Sequence, residues 1–151
     1  VPSDILCLIF EHTLLSLHPH CQGRFAIVLA SVCHSWRVTC IDAPNLWSCI
    51  DHLPHSYNLI CLFLQRSRNL PLSIDYYENG KDERILPLIA QESERWLEVR
   101  LDIPPRFYPL LSSIRGRLPL LRTLTWEYAS SEAWEHFAGF EIAPALVQFS
   151  C

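Results

Sequence analysis

Four short segments, PLSIDY (71–76), WLEVRL (96–101), LRTLTW (121–126) and LVQFSC (146–151), start 25 residues apart and share the pattern apolar-x-x-apolar-x-apolar. Their columns are Pro71/Trp96/Leu121/Leu146, then Ile74/Val99/Leu124/Phe149, then Tyr76/Leu101/Trp126/Cys151. Apolar residues two apart fall on one side of an extended strand, so each segment reads as a strand with one buried face. Amphipathic stretches at 57–64, 85–94, 107–114 and 133–137 separate the strands and read as helices, with Pro87 and Pro109 in first turns. One strand and one helix cannot cover their own apolar face, whereas stacked copies with parallel strands bury a continuous row of side chains. The period of 25 falls in the window of leucine-rich repeats, about 20–29 residues. The predicted row is Ile74, Val99, Leu124 and Phe149. A step of 25 further back puts Asp51 in an apolar column, so no earlier strand is expected.

The first third has helical rather than strand spacing. In PSDILCLIFEHTLLSL (2–17) a stripe runs through Ile5, Leu6, Ile9, Phe10, Thr13 and Leu14. Pro2 suits a helix start, and Asp4 suits the positive end of the helix dipole. LHPHCQG (17–23) is a connector, punctuated by Pro19 and Gly23. A second stripe runs through Phe25, Val28, Leu29, Val32 and Trp36, and the helix bearing Trp36 and Ile41 must stop before Pro44. The reading is one helix ending and a short one following, with Val32 and Trp36 packing them together.

These two regions carry a resemblance. VPSDILCLIF (1–10), LASVCHSWR (29–37) and APNLWSCI (43–50) are similar to the F-box, in the form found in large fungal families. The opening Leu-Pro-x-Glu-Ile-Leu is Val-Pro-Ser-Asp-Ile-Leu here, and Pro-x-Leu-Trp is present as Pro44-Asn45-Leu46-Trp47. His34 stands where the family has a basic residue, and the connector is rich in histidine. The fold class expected is α/β: an all-α three-helix F-box module over 1–50, then a leucine-rich-repeat-like array over 55–151 with a parallel sheet. The resemblance implies a non-catalytic substrate receptor of a cullin-based ubiquitin ligase, bridging a Skp-type adaptor and a target protein. Three short helices cannot bury all their apolar residues within themselves, and leftover apolar surface marks a protein–protein site. The expected adaptor-binding residues are Pro2, Ile5, Leu6, Ile9, Phe10, Val32, Trp36, Leu46 and Trp47. The polar positions between apolar columns give a target-binding set of Ser73, Asp75, Glu98, Arg100, Thr123 and Thr125. The alternative is a repeat scaffold with no link to ubiquitin.

Composition limits the other classes. Half the residues are apolar and 19% are charged, which fits a folded core. Net charge is −4, and the 12 basic residues up to Arg122 are matched by as many acidic ones, so no cationic face for nucleic acid is expected. No apolar run exceeds six residues, as at 59–64, which cannot span a bilayer, and no secretion signal opens the chain. With no initiator Met, the chain is expected to be an excerpt of a longer protein. Seven cysteines without a CxxC pair suggest a reduced, intracellular protein. His12, His18, His20 and Cys21, or Cys33, His34 and Cys40, could gather around zinc, but lack the paired spacing of structural sites, so no cofactor is expected. No GxSxG, HExxH or phosphate loop is present; a Cys–His hydrolase is the remaining enzymatic reading. The single lysine, Lys81, is expected in an exposed loop as the place of any self-modification.

Overall fold

In a computed structural model the described residues are 2–17, 22–51, 56–78, 82–126, 143–145 and 147–150, the last three as backbone only. Lys81, His18, His20, Cys21, Leu146, Cys151 and the helical stretch expected at 133–137 lie outside the described residues. Three helices come first: α1 (Ser3–Ser16), α2 (Gln22–Val32) and α3 (His34–Ile41). The second stripe breaks at Cys33, whose extended backbone (φ −159°, ψ 173°) separates α2 from α3. A 3-10 turn (Pro44–Trp47) leads to β1 (Cys49–Asp51). Then follow α4 (Tyr57–Arg66), β2 (Leu72–Tyr77), α5 (Ile85–Gln91), β3 (Trp96–Asp102), α6 (Tyr108–Ser112), β4 (Thr123–Trp126) and β5 (Gln148–Ser150).

The strands form one sheet in the order β1-β2-β3-β4-β5, and every neighbouring pair is parallel. Ile74 pairs with Val99, Val99 with Leu124, and Leu124 with Phe149, the register that the 25-residue spacing predicts. Ile74, Val99 and Leu124 are buried, as are Tyr76, Leu101 and Trp126 in the next column. Backbone bonds repeat with the same period: the Ser73, Arg122 and Val147 N–H groups donate to the carbonyls of Ser48, Leu97 and Arg122.

Two expectations need correction. Pro71 is exposed and takes no part in the first apolar column; Leu72, fully buried, pairs with Trp96 instead. The register shifts between Leu72 and Ser73, so Leu97 is an extra residue on β3, a bulge that absorbs one position. The second correction is β1 itself. Ile50 pairs with Ile74, a step of 24 rather than 25, so a fixed frame overlooked the strand and put Asp51 in its column. The boundary expected at residue 50 therefore falls inside a strand of the sheet.

The two regions also share a core. One cluster of buried side chains runs from Leu6, Phe10 and Leu14 through Leu46 and Trp47 to Trp96, Leu124 and Trp126. The same device anchors both regions. The Trp47 indole N–H donates to the Cys40 carbonyl (2.7 Å), and the Trp96 indole N–H to the Ile89 carbonyl (3.2 Å). Each acceptor lies seven residues upstream, in the last turn of α3 or α5, where the same carbonyl also accepts the N–H of Ala43 or Glu92. Arginines add bonds between successive units. Arg95 donates from Nε to the Leu70 carbonyl (2.9 Å), and Arg117 from Nη2 to the Gln91 carbonyl (2.8 Å).

Candidate functional site

The helix α1 presents apolar residues on two faces. Leu6, Phe10 and Leu14, four apart, are buried, and the Phe10 ring meets Trp36 edge-on at 4.9 Å. The 3-10 turn is tied to α1 by Asn45 Nδ2 donating to Glu11 Oε1 (2.9 Å). Ile5, Leu8 and Ile9 point the other way, at 49%, 61% and 50% exposure, next to exposed Pro2. Their spacing, i, i+3 and i+4, makes them neighbours on one surface of the helix.

The expected adaptor set therefore divides. Pro2, Ile5, Ile9 and Val32 are exposed, and Trp36 is half-buried. Leu6, Phe10, Leu46 and Trp47 are core residues and offer no surface, because the sheet and α4 take up the apolar faces that would otherwise be left over. Val32 does not pack α2 against α3, being 56% exposed at the break between them. Leu8, outside that expected set, is exposed beside Ile5 and Ile9, and its position three residues after Ile5 is a readable signal of that.

The second surface is the polar side of the sheet. Pairing aligns Cys49, Ser73, Glu98 and Thr123 in one row, and Asp51, Asp75, Arg100 and Thr125 in the next. All six residues of the expected target-binding set line a shallow groove of about 150 Å³, with Cys49 at one end. At that end the sheet is closed by α2. The Gly23 N–H donates to Asp51 Oδ1 (2.9 Å), placing a buried carboxylate at the positive end of the helix dipole. A Cβ on Gly23 would overlap Asp51 Oδ1 and lie 3.0 Å from the Cys49 carbonyl oxygen, so only glycine allows this approach.

The thiols along this path are held neutral. Burial pushes Cys49 well above the ordinary thiol range, and the Asp51 carboxylate, to which it hydrogen-bonds, adds to the shift. Burial likewise raises Cys40 to about 11. A thiol in that state is a poor nucleophile. Cys7, Cys33 and Cys61 are also free, Cys33 at the surface. Among the described residues no three His, Cys, Asp or Glu side chains gather as a metal site, and no helix is long and apolar enough to cross a membrane.

Comparison with known protein families, curated proteins and solved structures finds no match to this chain.

Proposed function

We propose that this chain is a non-catalytic interaction protein of the F-box kind, whose N-terminal helices dock on a Skp-type cullin adaptor while the polar side of its sheet holds a target protein. The observation that carries the reading is the second apolar face of α1. Ile5, Leu8 and Ile9 are not needed by the core, which α1 already serves through Leu6, Phe10 and Leu14. Fully burying an aliphatic side chain of this size stabilises by roughly 1.5–3 kcal/mol, so such a stripe is strong enough to anchor a partner. The F-box resemblance of residues 1–50 supports naming the partner class, and the groove across Ser73, Asp75, Glu98, Arg100, Thr123 and Thr125 supports a separate polar surface for the target.

Co-purification with a Skp-type adaptor tests this directly. The wild-type chain retains the adaptor, and Ile9→Asp loses it while keeping its circular dichroism spectrum. Equal retention by the two folded proteins would sink the reading. The shared core favours one alternative, a repeat scaffold in which α1–α3 act as the cap of the array. In that case adaptor is retained by neither protein.

A further inference from the structure

An open hollow of about 390 Å³, lined from α2, α3, α4 and the 3-10 turn, belongs to neither surface. Small-molecule sites occupy roughly 300–1,000 Å³ and are mostly apolar with a few placed polar groups. Here Ile27 and Ala30 of α2 face Leu59 and Leu62 of α4, and the Trp47 indole forms part of the wall. The charged groups lining it are two guanidiniums, Arg37 and Arg66, with no acidic side chain among the lining residues.

Both arginines are already positioned by other contacts. Arg37 Nε donates to the Ala30 carbonyl (2.9 Å), which leaves its Nη groups available. The Arg66 guanidinium lies over the Trp47 ring at 4.4 Å, a cation–π contact that does not use its N–H donors. Among the described residues neither guanidinium has an acidic partner, in contrast to Arg84, Arg95, Arg106 and Arg117, which form ion pairs. An apolar hollow with two uncompensated, partly immobilised guanidiniums is complementary to an anion with an apolar body, and arginine matches a carboxylate through paired N–H donors.

We propose that this hollow binds a small amphiphilic carboxylate, with its tail against Ile27, Ala30, Leu59 and Leu62 and its head accepting hydrogen bonds from Arg37 and Arg66. At about 30 Å³ per water-sized group, the volume admits roughly a dozen heavy atoms. The site does not depend on the adaptor surface of α1.

Decanoate is the probe, titrated into the 151-residue chain by calorimetry and by amide chemical shifts. One saturable site is expected, with shifts centred on α2 and α4, and decanol binding about tenfold more weakly or worse because it lacks the charge. Arg37→Gln and Arg66→Gln each weaken decanoate by a similar factor, whereas Arg115→Gln, an exposed arginine elsewhere, and Ile9→Asp leave it unchanged. Equal binding of decanol and decanoate by the wild type overturns the proposal, and needs no variant to fold. So does unchanged affinity in the Arg37→Gln/Arg66→Gln double variant. Absence of saturable decanoate binding also overturns it, including the case where an acidic peptide binds instead.

Discussion

Of the eleven large apolar side chains that stand exposed among the described residues, eight belong to α1–α3 and only Tyr77, Leu120 and Val147 to the rest of the chain. In the strand–helix region each unit is covered by the next, so its apolar columns are used up in stacking: Leu72, Trp96 and Leu121 in one, Ile74, Val99 and Leu124 in another. The helical region contributes one face of each helix to the same core and keeps other apolar residues outside it. Exposed apolar residues are ordinary one at a time; Ile5, Leu8 and Ile9 share one side of one helix. The contrast is one of how apolar surface is used: residues 72–126 bury most of theirs in folding, whereas α1 leaves part of its own exposed.

The largest effects are expected where the two regions are anchored alike. Trp47→Ala and Trp96→Ala each remove a fully buried indole and the hydrogen bond closing a helix end, at a cost of about 3–5 kcal/mol in urea denaturation. Because the core is shared, each variant unfolds in a single transition. Two separate transitions would break the picture of one core.

The next test sets the two faces of α1 against each other. Leu6→Asp buries an unpaired charge and costs roughly 3 kcal/mol or more, whereas Ile9→Asp, three residues along on the exposed face, stays within about 0.5 kcal/mol of wild type. Similar losses for both, measured by the same denaturation, would mean that α1 has no free face.

Smaller effects sharpen the junction. Gly23→Ala forces α2 away from Asp51 and the edge of β1, and costs about 1–3 kcal/mol as overpacking. A thermal midpoint equal to that of wild type would contradict the close approach. Cys40, beneath the helical region, reports through pH. Its folded-state value is raised from 9.0 to about 11, so the neutral thiol favours the folded state. That contribution is complete below pH 9.0 and is lost as the pH rises to about 11. Cys40→Ala therefore loses less stability than the wild type across this window, and an identical alkaline slope in both would remove Cys40 from the account.

Much of the sheet was readable from residues 71–126, because strand alternation and a fixed spacing are local properties that survive without knowledge of the neighbours. β1 was not readable, since its step to β2 is 24 residues and only three of its residues pair. The six polar positions of the groove followed from the same alternation. For α1, helical spacing marked Ile5, Leu6, Ile9 and Phe10 as apolar together but gave no way to tell inner from outer.

What the sequence alone determined is the repeat of parallel strands, the succession of three helices before them, and which residue types line the two sides of the sheet. These follow from periods of 2 and 3.6 residues and from the spacing of 25, all carried by the chain itself. Only the tertiary structure decided that Leu6 and Phe10 face inward while Ile5 and Ile9 face out. It also decided that Leu72 replaces Pro71, and that an open hollow is lined from α2, α3, α4 and the 3-10 turn. The reason is geometric. A helix with apolar residues over much of its circumference has several burial-competent rotations, and the choice among them rests on contacts such as Phe10 with Trp36 and Glu11 with Asn45, between residues 26 and 34 positions apart in the chain.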